Sequence, residues 1–359
     1  MDAREPGQHR ADVPIVDIRS SNPVAHEELL DAAAKYGFAY IGERTNSVGE
    51  LSGRRHQTCM LMLTPNDQDT QETGISDDDI REMFQLSQRF FSSPASIKAE
   101  VAIPSPQAGK NHGWLGQGVE RLDPATQRRP DVKEAFNFGE PVDGHFQQPL
   151  PRPLRPHTLT LLAFDAKCHR LCQRILELFA IALDIPRDWF SSRHNRAQGR
   201  SGTVFRLLYY PPAEVGNGGD LRAGAHSDYG SITLLFQQLG QPGLEIKTPS
   251  GEWAPVPPRA DAILVNIGDL LDDWTCGLLK STVHRVIFPM EEGGGGDRYS
   301  IAYFCHPLDD ALLEPVPSDA VERHAALSGR RLASNEGQMI TARDHLTERL
   351  ASTYTVQSK

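Results

Sequence analysis

The stretch RAGAHSDYGSITLLFQ, residues 222–237, decides the reading of this chain. Polar and small residues lead into an apolar run over 231–237 that reads as a buried strand. His226 and Asp228 stand two apart just ahead of it. An imidazole and a carboxylate placed together at the mouth of a buried strand form two members of a metal-ligand set, and two are too few. A third donor has to come from another strand.

STVHRVIFP, residues 281–289, supplies one: His284, flanked by Val283, Val286 and Ile287. Two imidazoles and one carboxylate on neighbouring strands cover one face of a metal and leave the other open, the arrangement that suits non-haem Fe(II) and a chelating co-substrate. Zinc is the other metal these ligand types can hold. DRYSIAYF, residues 297–304, then places Arg298 and Ser300 two apart on a further strand. Residues at that spacing share a face. With Ile301, Ala302 and Phe304 making the strand a buried one, an inward guanidinium requires an anion, and a neighbouring hydroxyl helps to clamp a carboxylate. Tyr210, in LLYYPP, can add a second hydroxyl from another strand.

Size and composition bound the alternatives. The chain has 359 residues, 39% of them hydrophobic, enough for one large core. The formal net charge of −10 argues against general affinity for nucleic acid or anionic membrane surfaces and favours a small-molecule partner. Five cysteines, Cys59, Cys168, Cys172, Cys276 and Cys305, fall at scattered spacings without a C-x-x-C pair, which suits a reducing, cytoplasmic setting. MDAREPGQHRADVP at residues 1–14 has no apolar signal-type run, and no stretch approaches the ~18 consecutive apolar residues of a membrane span. Oligomeric state is not legible.

Secondary structure changes character along the chain. Residues 13–18 read as a short strand. A helix follows, with Asn22 as cap, Pro23 at its first position, Leu30, Ala33 and Ala34 on one face, and Gly37 at its end. Phe38–Ile41 reads as a strand and 44–75 as a polar insertion. Ser76 and Asp79 have the spacing of a capping box, opening a helix with Ile80, Met83, Phe84, Phe90 and Phe91 in helical period until Pro94. A long helix from about His157 to Asp184 carries Leu161, Phe164, Cys168, Leu171, Ile175, Leu178 and Ala182 as its stripe. From about residue 201 the pattern becomes short β runs at 203–210, 231–237, 243–247, 261–267, 281–288 and 298–304, separated by turn residues, which argues for a sandwich or barrel. EEGGGGD at 291–297 reads as a flexible hairpin tip, and a final amphipathic helix near 338–352 carries Met339, Leu346 and Leu350.

The pattern His226-x-Asp228, His284, Arg298-x-Ser300 resembles the iron(II)/2-oxoglutarate-dependent dioxygenases of the isopenicillin N synthase-like group. VPIVDI, AAAKYGFAYI, RLLYYPP and NIGDLLDDWTCGLLKSTVHRV resemble other parts of that family, so the likeness spans nearly the whole chain apart from 44–75. RAGAHSDYGSITLLFQ and RYSIAYFCHP are closest in phrase to fungal members such as thymine 7-hydroxylase. The resemblance implies a mostly β fold with flanking helices, its core a distorted double-stranded β-helix or jelly roll. It implies a single oxygenase domain over 1–359: a mainly helical region with short strands at 1–200, the core at 201–310 and a C-terminal helical segment at 311–359.

It also implies roles. His226, Asp228 and His284 would bind Fe(II). Arg298, Ser300 and Tyr210 would hold the distal carboxylate of 2-oxoglutarate, with O₂ as the second co-substrate. Hydroxylation or desaturation of a small organic substrate, such as a secondary-metabolite intermediate, would then release succinate and CO₂. Tyr229, Phe304, Phe136, Phe138, Trp114 and Thr203 are the candidate substrate residues, with His112 a further one. Thr203 stands where the thymine enzyme has a substrate-contacting Asn, which weakens a nucleobase assignment. Three other readings stay open: a 2-oxoglutarate-independent oxidase of the isopenicillin N synthase type, a thymine-like nucleobase hydroxylase, and a non-catalytic jelly-roll binding protein.

Overall fold

The computed structural model describes residues 11–42, 73–103, 111–123, 130–212, 221–288, 296–332, 334–335 and 338–354. Most of the 44–75 insertion, most of the glycine-rich 291–297 tip, and Cys59 lie outside the described residues. In chain order the elements are β1 (Ile15–Val16), α1 (Ala25–Tyr36), β2 (Phe38–Gly42), α2 (Asp77–Phe91), α3 (Ala95–Ala99), β3 (Gly113–Leu115) and β4 (Glu134–Gly139). There follow α4 (Thr158–Ala182), α5 (Trp189–Ser192), β5 (Val204–Tyr210), β6 (Leu221–His226), β7 (Ile232–Gln237), β8 (Leu244–Lys247) and β9 (Trp253–Pro255). The last are β10 (Ala262–Ile267), α6 (Asp269–Trp274), β11 (His284–Ile287), β12 (Arg298–Cys305), α7 (Asp319–Ser328), β13 (Ser334–Asn335), β14 (Gln338–Met339) and α8 (Ala342–Tyr354).

Helix ends follow local chemistry. At α2 both halves of the Ser76/Asp79 capping box form, and Lys167 of α4 reaches Asp79, tying the two helices together. At α1 the expected start is corrected: Asn22 does not cap the helix. Its Oδ1 accepts from the Val24 N–H and its Nδ2 donates to the Asp17 carbonyl, so it closes the preceding turn, and the helix begins at Ala25. The buried stripe is accordingly Ala25, Leu29, Ala32 and Ala33, with Leu30 and Ala34 at its margin. Gly37 does end the helix, at φ 68°, a left-handed conformation that glycine adopts without strain. The expected C-terminal helix starts later, at Ala342. Met339 instead belongs to the short β13–β14 ribbon and is exposed.

Eight strands form one sheet in the order β1-β2-β10-β7-β12-β5-β4-β3, and four form a second, β6-β11-β8-β9. Alternation along each strand decides what each face carries. On β12, Tyr299, Ile301, Tyr303 and Cys305 join Phe205, Leu207, Leu234, Phe236 and Val265 in packing against α4, through Leu161, Phe164, Cys168 and Ile175, and against α2. The opposite face, with Leu208, Tyr210, Leu264 and Ala302, meets Ala223, Leu244, Ile246 and Val286 of the small sheet. Burying one such large apolar side chain stabilises the fold by roughly 1.5–3 kcal/mol, so the helix layer anchors one face firmly. The other face is left to line an inter-sheet space. Among the described residues, no helix is long and apolar enough to cross a membrane.

Candidate active site

β6 and β11 pair antiparallel with His226 directly opposite His284, and their rings lie 4.3 Å apart. Each ring donates from Nδ1 to a carbonyl two residues back, His226 to Gly224 at 2.8 Å and His284 to Thr282 at 3.1 Å. That places the proton on Nδ1 and leaves Nε2 as the lone-pair atom. Asp228 Oδ1 faces both lone pairs, 3.9 Å from Nε2 of His226 and 3.7 Å from Nε2 of His284. One donor atom from each residue falls within 4.8 Å of the others, close enough to share a cation. The other carboxylate oxygen, Oδ2, accepts from Thr233 Oγ1 at 2.7 Å and Asn266 Nδ2 at 2.8 Å.

The charges are set for a cation. Burial, reinforced by the neighbouring His284, pushes the His226 imidazolium down to about 4, so the ring is neutral near pH 7. Burial opposes ionisation of Asp228. His284, His226 and the Asn266 and Thr233 hydrogen bonds outweigh it and hold the carboxyl below its usual range. Glycine-tight packing keeps the Asp228 turn in place: Gly268 is so close that an added Cβ would sit 2.3 Å from the Gly230 carbonyl oxygen. The Asp269 N–H donates to the Asp228 carbonyl at 2.7 Å.

A cavity of about 720 Å³ runs from these three residues between the sheets. At its far end sits Arg298, 1% exposed. Its guanidinium lies 3.4 Å from Ser300 Oγ, 3.4 Å from Gln237 Oε1 and 5.0 Å from the Tyr210 ring centroid. Its Nε has no hydrogen-bond partner, and no carboxylate among the described residues pairs with it. Burial therefore lowers its pKa. A buried guanidinium without an anion is costly, and its surroundings of Ser300 and Tyr210 are those a carboxylate would complete.

Of the candidate substrate residues, Tyr229 and Phe304 line the cavity, as does His112. Phe136 and Phe138 do not. They are fully buried among aromatic rings on the helix side of β4, where Phe136 packs on Phe90 and Phe138 on Phe205. Strand alternation turns Asn137, between them, toward the cavity instead. Trp114 is also displaced: its indole N–H donates to Glu134, which pairs with Lys98. Thr203 is buried away from the cavity, exchanging hydrogen bonds with the backbone of His306.

Several cavity residues escape sequence reasoning. Glu120, Lys133 and Arg206 form a buried ionic wall, with Arg206 2.7 Å and Lys133 3.2 Å from Glu120. Nothing in their spacing, at 120, 133 and 206, advertises this. Thr233 and Asn266 did leave a signal. Asn266 is the lone polar residue of β10, Thr233 is the one polar residue of β7 besides its terminal Gln237, and the two are paired across the strands. Leu346 and Leu350, read as a helix stripe, line the cavity mouth.

Comparison with known proteins agrees with this geometry. Residues 201–307 match the 2OG-Fe(II) oxygenase superfamily model, and residues 70–158 match that of the non-haem dioxygenase in morphine synthesis N-terminal region. A UPF0676 protein of Schizosaccharomyces pombe is 34% identical, over 85% of this chain and 85% of its own. The 2-oxoglutarate-dependent dioxygenase frbA of Dothideomycetidae sp. is 31% identical, over 68% of this chain and 77% of its own. A full-length Neurospora crassa protein, solved in complex with alpha-KG, is similar with a TM-score of 0.73 at 29% identity, covering 95% of this chain and 96% of that one. Sequence shared to this extent places the chain in the 2OG-Fe(II) oxygenase superfamily, as an oxidoreductase that uses Fe(II), 2-oxoglutarate and O₂.

Proposed function

We propose that this dioxygenase hydroxylates or desaturates a small organic molecule with His226, Asp228 and His284 as its iron ligands. Arg298, Ser300 and Tyr210 hold the distal carboxylate of 2-oxoglutarate. The single domain spans 1–359, and its two facing sheets make up a distorted double-stranded β-helix. The observation that carries the assignment of roles is Arg298: a buried cation without a carboxylate partner among the described residues, sharing one cavity with a His–Asp–His group.

The donor set fits the metal. Two neutral imidazole nitrogens and one carboxylate oxygen suit Fe(II) and leave positions for a chelating co-substrate. When bound, Fe(II) couples O₂ reduction to decarboxylation of 2-oxoglutarate, giving succinate, CO₂ and an oxidant for the substrate. The chain's own residues do the rest. The Gly224 and Thr282 carbonyls fix both imidazole tautomers, and Thr233 with Asn266 fixes the carboxylate rotamer. Arg298 sets the depth at which the co-substrate sits. Tyr229, Phe304, His112 and Leu350, around the mouth, limit substrate shape and exclude water.

The test is direct. Under argon, Fe(II) and 2-oxoglutarate together produce a weak visible charge-transfer band that His226→Ala abolishes. In air, succinate appears with oxygen uptake. Oxygen uptake without succinate instead assigns an oxidase of the isopenicillin N synthase type, and absence of both assigns a binding protein.

A further inference from the structure

The last helix does more than wall the cavity. One side of α8 presents Leu346, Thr347, Leu350 and Ala351 to it. Another is fastened to α6 by two rungs one helical turn apart: His345 lies 3.1 Å from Asp273, and Arg349 pairs closely with Asp269. The rungs are not equivalent. Among the described residues, the His345 ring hydrogen-bonds only to Asp273 on α6. Arg349 sits over the Tyr229 ring at 5.5 Å and within 3.5 Å of Ser227 Oγ, so it touches residues on both sides of Asp228. Its partner Asp269 accepts from Ser227 Oγ at 3.0 Å, and the Asp269 N–H donates to the Asp228 carbonyl at 2.7 Å. The guanidinium therefore closes a bonded ring around the turn that carries Asp228.

We propose that Arg349 is a positioning residue for the metal site: it holds the Ser227–Tyr229 turn, so docking of α8 orders the Asp228 carboxylate. One helix thereby joins the substrate mouth to the iron. This rests on Asp228 being an iron ligand, as proposed above. Groups that orient a metal's ligands commonly contribute about 10–100-fold in metal affinity.

The experiment titrates the full chain with Fe(II) alone under argon, reading affinity and the metal-dependent rise in melting temperature. Arg349→Ala should weaken Fe(II) binding about tenfold. His345→Ala, which cuts the other rung of the same helix, should change it less than twofold while lowering the metal-free melting temperature comparably. Arg349→Lys keeps a charge for Asp269 but loses the planar fork, and should lose several-fold; it serves if the alanine variant does not fold. Unchanged Fe(II) affinity in Arg349→Ala, or an equal loss in His345→Ala, overturns the proposal. Failure of the wild-type chain to bind Fe(II) overturns instead the ligand assignment beneath it.

Discussion

Asn266 donates from Nδ2 to Oδ2 of Asp228 at 2.8 Å, reaching from the penultimate position of an otherwise apolar strand. With Thr233 occupying the same oxygen, the carboxylate is held so that Oδ1 alone faces the two imidazoles. Replacing Asn266 with Leu leaves Oδ2 with one donor. Fe(II) affinity should fall about 10–100-fold. Apo stability should fall by about 1.5–3 kcal/mol, the usual contribution of a hydrogen bond to a charged group. Fe(II) titration and urea unfolding check the two halves independently.

Arg298 behaves oppositely in the apo protein. Its charge is buried without an anionic partner among the described residues, so Arg298→Gln should leave apo stability unchanged or raise it. The same change should raise the KM for 2-oxoglutarate about 10–100-fold, through loss of a charge-assisted clamp. A variant destabilised in the apo state, or with wild-type KM, contradicts this role.

Phe136 and Phe304 lie on opposite faces of the large sheet. Phe136→Ala empties a packed aromatic cluster and should cost about 3–5 kcal/mol. Phe304→Ala borders space that is already open and should cost less than half as much. Urea midpoints at matched m-values give the comparison, and the reverse ranking would mean that the two faces are misassigned.

Acid stability should be governed first by two histidines that the fold withdraws from water, His194 fully and His169 in part. Burial pushes His194 down to about 4 while its Nδ1 donates to the Phe190 carbonyl. Burial and Arg196 push His169 down to about 3. Below the ordinary pKa near 6.5 the unfolded chain takes up these protons and the folded one does not, so stability is full above that pH and falls between about 6.5 and 4. Each histidine adds up to about 1.4 kcal/mol per pH unit to the slope. His194→Gln should flatten the melting-temperature profile over that window, and an unaltered profile would contradict the burial argument.

Where the sequence was readable, the reason is local physics. The Ser76 box, the Gly37 stop and the two-residue periodicity of β12 each depend on neighbours in the chain, and each appears in the folded protein. His226 with Asp228 stood out as a polar pair at the mouth of a buried strand, and Arg298 with Ser300 as a polar pair inside one, and each such pair demands a partner. The direction of a given strand's face is not local. The same alternation that put Arg298 beside the cavity sent Phe136 and Phe138 into the helix layer, and only sheet pairing sets which parity faces inward. Sequence alone therefore picked out His226, Asp228 and His284, the group that the fold brings within reach of one cation. Tertiary structure decided its enclosure: the Glu120–Lys133–Arg206 wall, the reach of Asn266 to Asp228 and the α8 mouth each join residues separated in the chain that meet only in the folded protein.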